Sequence, residues 1–303
     1  MSLPTAVDYA APVTELPASR AAWSLDAARA AVLVHDLQRY FVRPYAETCA
    51  ALRTAIAATA EILAAARERG VPVFYTAQHG DQDQAERGLQ RDLWGPGMRA
   101  IPEHTDIVAE VAPAPGDTVL QKHRYSAFAR SDLAERLAAA SRDQLVIAGV
   151  YAHIGIAATA MEAFQREIQP FVVADGVADL GEEQHRLALA QIAGCCGVVL
   201  RAGDVVATLR DRGAGEGDAD PGAGEGVDAL LHESLRTLVD PEQVSQAFAQ
   251  PDADLFALGL DSLRAFELLD ALADDGIDIE FGDFVRTPTV SWLRAQAAVA
   301  VRC

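Results

Sequence analysis

The sequence predicts an α/β domain built on a parallel sheet in three layers, followed by a small four-helix bundle. Three observations predict it. Between residues 24 and 205, short apolar runs alternate with helical stretches, the rhythm of parallel strands joined by crossover helices. Residues 210–227, RDRGAGEGDADPGAGEGV, lack large apolar side chains and read as a flexible acidic linker. Residues 228–303 hold four helical stretches and no convincing strand, the pattern of a helical bundle. The expected division is 1–209, a linker at 210–227, and 228–303.

Residues 1–24 are irregular and rich in proline and alanine, an arm expected over the surface or a neighbouring subunit. The first strand, 31–35, is a continuous apolar run, Val32, Leu33 and Val34, closed by His35 and Asp36. Such a run reads as a strand buried on both faces. Further strands are expected at 72–76, 118–121, 145–149, 170–174 and 198–201. The helices between them are expected at 49–68, 131–140, 155–167 and 182–193. The segment 79–115 breaks this rhythm: it is long, charged, and carries Trp94-Gly-Pro-Gly97. Long loops in compact domains are often functional, and this one is placed to cover a crevice. Beyond the linker, helices are expected at 229–238, 263–274, 281–285 and 290–299. In the second of these, Leu263, Phe266, Leu269 and Ala273 recur at helical spacing as the buried side.

The 303-residue chain carries a net charge of −19, which argues against nucleic-acid binding. Residues 211–303 hold 19 acidic residues against six arginines, while the remainder holds 25 acids against 19 bases. The last third is built to meet basic partner surfaces. No basic hydrophobic leader opens the sequence, and no apolar run approaches the ~20 residues that span a bilayer. The four cysteines, Cys49, Cys195, Cys196 and Cys303, form neither a disulfide framework nor a zinc spacing. A cytoplasmic protein with reduced thiols and no metal is expected.

One count bears directly on chemistry. The chain has 24 arginines and one lysine, Lys122, at the end of the third strand. A compact ammonium can transfer a proton or point at one atom, which a guanidinium does poorly; chance survival of one lysine is the alternative. Asp36 ends the first strand, and small molecules bind beyond the carboxyl ends of strands in open α/β sheets. Its alternative role is to cap the next turn. Strands converging on one crevice would let Asp36 and Lys122 face each other. The fourth strand ends in GVYAHIG, 149–155, where a helix begins and free N–H groups await an anion. An aspartate, a lysine and this turn are the parts of the cysteine-hydrolase fold. Those enzymes carry a nucleophilic cysteine in the turn, where this chain has Gly155. Cys195 and Cys196 fall at the end of a later helix, so thiolate acyl-enzyme chemistry is not expected. An amidase using a displaced cysteine stays open.

Six strings in order, VLVHDLQRYF (32–41), YTAQ (75–78), LWGPGM (93–98), KHRYSAF (122–128), GVYAHIG (149–155) and QPFVVADGVAD (169–179), resemble the isochorismatase family. The likeness spans roughly residues 10–206. The whole chain also resembles the bifunctional isochorismatase–aryl carrier proteins of catecholate siderophore pathways. The first domain is about as similar to phenazine-pathway enzymes that hydrolyse 2-amino-2-deoxyisochorismate. The resemblance implies cleavage of a vinyl ether to 2,3-dihydro-2,3-dihydroxybenzoate and pyruvate, with no nucleophilic side chain. It implies Asp36 as general acid to the terminal vinyl carbon, beside Lys122. It further implies Gln78, Arg87, Tyr151 and Gly155 as substrate-binding residues, a non-proline cis peptide at 150–152, and a homodimer. Arg87 suits a carboxylate by its bidentate fork; read alone, it is an ordinary loop arginine. Gln78 and Tyr151, read alone, are structural residues, and Gly155 a close-packing glycine. Trp94, Tyr125 and Phe128 either wall a pocket or belong to the core. His35 and His153 are expected as structural histidines. To donate a proton near neutrality Asp36 needs a raised pKa, which burial supplies and Lys122 opposes. The pair is expected to share a proton, with Lys122 also holding substrate oxygens.

In the last third, LGLDSL, 258–263, places Asp261 and Ser262 where a helix begins, the usual position of an N-cap. The string resembles the phosphopantetheine attachment site of acyl and aryl carrier proteins. That resemblance implies 4′-phosphopantetheine on Ser262, its phosphate near the helix N-terminus, with Gly259 allowing close approach of the loop. It implies a phosphopantetheinyl transferase, an aryl-acid adenylating ligase and a condensation enzyme as partners. Leu263 and Phe284 are either partner contacts or core. An inactive scaffold for the carrier remains a further alternative, and no residue separates a hydroxyl from an amino substrate.

Overall fold

The computed structural model describes residues 5–211, 228, 230–232, 234–236, 238–274, 277 and 279–300. The chain divides into two compact units, Met1–Asp211 and Arg212–Cys303, split inside the expected linker. The linker positions 212–227 lie outside the described residues.

The first unit is built on six parallel strands: β1 (Ala30–His35), β2 (Val73–Ala77), β3 (Thr118–Gln121), β4 (Gln144–Val150), β5 (Gln169–Ala178) and β6 (Val198–Leu200). Their order is β3-β2-β1-β4-β5-β6. The chain steps outward from β1 through β2 and β3, then returns so that β4 pairs with the other edge of β1. This reversal is a switch point, where ligands bind beyond the carboxyl ends of the strands. All six residues of β1 are buried, which its continuous apolar run requires.

Five longer helices flank the sheet: α1 (Ala50–Glu68), α2 (Leu133–Ala139), α3 (Ala157–Gln165), α4 (Glu182–Cys195) and α5 (Ala202–Arg210). Ala30, Val32 and Val34 join one core with α1 and α5. Ala31 and Leu33 join a second core with α2, α3 and α4. The alternation of a strand's side chains thus separates three layers. α5 has no counterpart in the sequence reading. Its apolar signal is thin, and it is held by burial of Ala202, Val205 and Leu209. The helix after β4 does not start at 155: a wide turn, Ala152–Ile156, precedes α3. The N-terminal arm packs on its own unit. Val7 bridges Tyr45, Arg20 N–H donates to the Ala193 carbonyl, and Val199 N–H donates to Ser19 Oγ.

The second unit has helical residues at 228, 230–232 and 234–236, then α6 (Pro241–Ala249), α7 (Ser262–Asp274), α8 (Phe281–Arg286) and α9 (Val290–Ala300). α6 was not expected from the sequence, since its anchors among the described residues are few: Val244 and Ala247 are buried and Phe248 packs partly buried against them. Of the helix expected at 229–238, residues 229, 233 and 237 lie outside the described residues. The buried side of α7 also differs from the sequence reading. Ala265, Leu268, Leu269 and Leu272 are inside, while Leu263 and Phe266 are 70% and 50% exposed. Both stripes fit helical spacing, and the winner is the one that meets the core around Phe284. Phe284 is therefore core and not a partner contact. No helix among the described residues is long and apolar enough to cross a membrane. Among them, no group of three or more histidine, cysteine or acidic side chains is placed to hold a metal.

Candidate active site

The carboxyl ends of β1, β2, β3 and β4 each deliver one element of the site. Asp36 follows β1 in a left-handed turn, φ 51°, a conformation that aspartate adopts more readily than most side chains. The β1–β2 register brings Thr76 alongside His35. Thr76 Oγ donates to Asp36 Oδ1 at 2.6 Å. Lys122, one residue beyond β3, donates from Nζ to Asp36 Oδ2 at 2.6 Å. Asp36 and Lys122 are each 4% exposed. The structure thus joins the lone lysine to the strand-end aspartate in one buried pair.

The electrostatics settle the opposition between burial and the Lys122 charge at Asp36. Burial pushes its carboxyl up, but the Lys122 ammonium and the hydrogen bonds from Lys122 and Thr76 outweigh it. Asp36 lies below the ordinary carboxylate range. Burial also pushes Lys122 down, against the pull of Asp36. The resting pair is an ion pair whose ammonium holds its proton weakly.

A cavity of about 370 Å³ opens on this pair, and Gln78, Arg87, Tyr151 and Gly155 line it together with Asp36 and Lys122. Gln78 is set by its backbone: its N–H donates to Gln38 Oε1 at 2.8 Å, and its carbonyl accepts from Gln38 Nε2 at 3.0 Å. Arg87 belongs to a single helical turn, Gln84–Arg87, inside the expected covering segment. It donates from Nε to the Gly95 carbonyl at 2.7 Å and from Nη1 to Gln82 Oε1 at 3.0 Å. Gly97 has φ 89°, a conformation that favours glycine, and a β-carbon there would also meet the guanidinium at 2.8 Å. Tyr151 follows the cis Val150–Tyr151 peptide and donates from Oη to the Phe41 carbonyl at 2.7 Å. Its hydroxyl oxygen can therefore only accept from a ligand. Trp94 and Tyr125 wall the cavity and are joined by a 2.7 Å hydrogen bond from Trp94 Nε1 to Tyr125 Oη. Phe128 is buried in the second core and is not part of the wall.

His35 is fully buried. Burial first, then the nearby Lys122 charge, pushes it down to about 4, so its ring is neutral at physiological pH. Its Nδ1 lies 2.9 Å from the Val150 carbonyl and its Nε2 3.3 Å from the Tyr125 carbonyl, and the neutral ring donates to one of the two. No cysteine among the described residues lines the cavity. Cys195 is exposed at the end of α4, and burial pushes the Cys196 thiol up to about 12.

Three side chains that shape the site were not singled out by the sequence: Thr76, Gln38 and Asp179. Asp179, fully buried after β5, accepts from the His153 N–H at 2.7 Å, from His153 Nδ1 at 2.5 Å and from the Leu180 N–H at 2.7 Å. Gln38 falls in the largely polar stretch His35-Asp36-Leu37-Gln38-Arg39, where nothing local sets it apart.

In the second unit, Asp261 caps α7: its Oδ1 accepts from Arg264 N–H at 2.9 Å. Ser262 follows as an exposed first residue of the helix, so its hydroxyl is accessible and is not the cap. Gly259 has φ 101°, and a β-carbon there would meet the Gln243 amide at 2.9 Å. An exposed serine behind such a loop fits a covalently attached 4′-phosphopantetheine arm.

The isochorismatase domain model matches residues 30–204, and the phosphopantetheine attachment site model matches residues 233–294. The phenazine biosynthesis protein PhzD of Pseudomonas fluorescens is 47% identical over 206 residues, 67% of this chain and 98% of that protein. Enterobactin synthase component B of Escherichia coli K12 is 37% identical over 291 residues, 96% of each chain. The isochorismatase of Bacillus subtilis is 33% identical over 297 residues, 96% of this chain and 93% of that protein. Among solved structures, an isochorismatase family protein from Burkholderia thailandensis has 28% identity and a TM-score of 0.55, covering 64% of this chain and 99% of its own. A cysteine hydrolase from Pseudomonas syringae pv. phaseolicola, at 24% identity and a TM-score of 0.57, shares the fold. With its first unit matched across the sheet and its second across the helices, this chain belongs to the isochorismatase family and carries a C-terminal phosphopantetheine attachment domain.

Proposed function

We propose that the first unit hydrolyses the vinyl ether of isochorismate to 2,3-dihydro-2,3-dihydroxybenzoate and pyruvate. The second unit then holds an activated aryl acid as a phosphopantetheine thioester on Ser262, for siderophore-type nonribosomal peptide synthesis. One observation carries the hydrolase reading: a buried aspartate–lysine pair at the foot of a cavity that no thiol among the described residues lines. Whole-chain likeness to an enterobactin synthase component and to an isochorismatase supports the joint reading.

Asp36 acts as the general acid. As substrate excludes water, two buried charges become costlier than two neutral groups, and the proton passes from Lys122 Nζ to Asp36 Oδ2. Oδ2–H protonates the terminal vinyl carbon, leaving an oxocarbenium at the ether carbon and a carboxylate on Asp36. Water adds to that carbon and returns a proton to Asp36. The hemiketal then loses its hydroxyl proton as the bond to the ring oxygen breaks. The ring oxygen leaves protonated and the keto group of pyruvate forms. A positioned acid of this kind is worth roughly 10²–10⁴-fold. Arg87 holds a substrate carboxylate, Gln78 and Tyr151 hold ring hydroxyls, and Gly155 lets the turn close on His35 at the cavity wall.

A second reading replaces the substrate by 2-amino-2-deoxyisochorismate, favoured by the 47% identity to the phenazine protein. Against it, Asp36 is the one acidic side chain lining the cavity, and Lys122 already pairs with it. Purified protein assayed with both compounds, with pyruvate coupled to an NADH-consuming reductase, tests the proposal. Pyruvate from neither would overturn it, and turnover of the amino compound alone would select the second reading.

The carrier domain meets a phosphopantetheinyl transferase and nonribosomal peptide synthesis enzymes. An aryl-acid adenylating ligase, a condensation enzyme, a homodimeric state and a cytoplasmic location complete the proposal.

A further inference from the structure

We infer that Arg43 is the second carboxylate-holding residue of the hydrolase cavity, forming with His104 a subsite for one of the two carboxylates of a dianionic vinyl ether. This rests on the proposed hydrolysis and extends it to a residue for which neither the sequence reading nor the motif likeness gave a role.

The argument begins with a count of cations. Lys122, Arg87 and Arg43 line the cavity. Lys122 is taken by Asp36. Isochorismate carries one carboxylate on the ring and one on the enolpyruvyl group, so two guanidinium groups remain for two carboxylates.

Geometry points the same way. Arg43 ends the single turn Arg39–Val42, which leads from β1 along the cavity wall. Its guanidinium lies 4.2 Å over the ring of Tyr40, which also lines the cavity. That stack holds the cation in place while leaving its N–H groups available. Among the described residues Arg43 has no carboxylate partner.

Its Nη1 instead meets His104 Nε2 at 3.2 Å. His104 Nδ1 accepts the Arg99 N–H at 2.9 Å, so Nε2 is the nitrogen that carries the proton. The contact therefore sets donor against donor. Arg43 and Tyr40 line the cavity while His104 stands behind them. An oxyanion entering at Arg43 therefore accepts from the guanidinium and draws in the His104 N–H, and a carboxylate suits that geometry. Tyr40 also packs edge-on against His104, with centroids 5.1 Å apart, so one aromatic ring fixes both donors.

The test uses the full-length protein with isochorismate. Arg43→Gln should raise KM by about 10- to 100-fold, the range for one charged hydrogen-bonding partner, with kcat falling by less than KM rises. Arg43→Lys should recover part of the loss, as a charge without the fork. Inhibition by one of the two products, pyruvate or the dihydrodiol acid, should weaken by a similar factor and identify which carboxylate is held. Wild-type protein that releases no pyruvate overturns both this inference and the hydrolase reading. Active wild-type protein, with Arg43→Gln keeping its KM and both product inhibition constants, overturns this inference alone.

Discussion

The imidazole of His35 fills the space that a side chain on Gly155 would need: a β-carbon built there overlaps Cε1 of the ring. The end of β1 and the turn after β4 therefore interlock. The turn position where the sequence resemblance to cysteine hydrolases places a nucleophile is filled here by the protein's own histidine ring. That closure supports the acid–base chemistry proposed for the cavity.

Gly155→Ala should displace His35 and destabilise the first unit by about 1–3 kcal/mol, the usual cost of overpacking. Pyruvate release should fall with it. Gly155→Cys should lose the vinyl-ether activity without gaining amidase activity, because the thiol has no room to settle. Thermal unfolding of each variant, with assays on isochorismate and nicotinamide, checks both statements.

Removing either half of the Asp36–Lys122 pair has two separable consequences. Asp36→Asn should lower kcat by at least about 10²-fold. It also leaves Lys122 buried opposite a neutral group, a defect of roughly 3–5 kcal/mol for buried pairs. The double variant Asp36→Leu, Lys122→Met should regain most of that stability and none of the activity. A double variant as unstable as the single one would show that the defect is not electrostatic. Denaturant titration beside the pyruvate assay separates the two effects.

How much of this was legible in the sequence depends on whether the signal is local. β1 was legible because a strand buried on both faces leaves an unbroken apolar run. Lys122 was legible from a count, since it is the only lysine among 25 basic residues. Thr76 and Gln38 were not, because their roles follow from strand register and from a backbone clamp between β1 and β2, neither of which is written locally. On α7 two apolar stripes compete at the same spacing, and only the neighbouring helices decide which is buried. α5 and α6 are short, with few apolar anchors, and their order comes from docking rather than from propensity.

The first unit should lose stability on acidification through His35. Burial, with the Lys122 charge behind it, lowers this group from 6.5 to about 4 in the folded state. Between those values the unfolded chain binds a proton that the folded chain does not, so stability falls as pH falls through that window. Below about pH 4 both states are protonated and the loss, about 3 kcal/mol, is complete. Urea unfolding of wild type and His35→Gln from about pH 7 to about pH 4 checks this. The variant should show the shallower dependence.

Ser262→Ala should abolish the mass gain that a phosphopantetheinyl transferase and coenzyme A give the wild-type chain. Pyruvate release should be unchanged, because Ser262 lies in the second unit and the described residues lining the cavity belong to the first. Asp36→Asn should show the reverse pattern. Intact-mass spectrometry and the pyruvate assay on the same preparations read both outcomes.

Asp179 makes a prediction about the turn that carries Tyr151 and Gly155. Its carboxylate is fully buried and takes three donors, two of them from His153. The Asp179 N–H in turn donates to Tyr9 Oη at 2.7 Å, which ties the N-terminal arm to the same point. Neither Asp179 nor His153 lines the substrate cavity, so any effect on turnover must pass through the position of the turn. Asp179→Asn keeps the shape but turns one acceptor oxygen into a donor, which faces either the His153 N–H or the His153 ring. The expected result is a loss of about 1–3 kcal/mol of stability from the unsatisfied buried donor. KM should rise more than kcat falls, since the turn carries the proposed binding groups Tyr151 and Gly155 and the proposed proton-transfer pair is untouched. His153→Ala, which keeps the backbone N–H bond and deletes only the ring bond, should give a smaller shift of the same sign. Equal KM values for wild type and both variants would show that the clamp serves the fold alone.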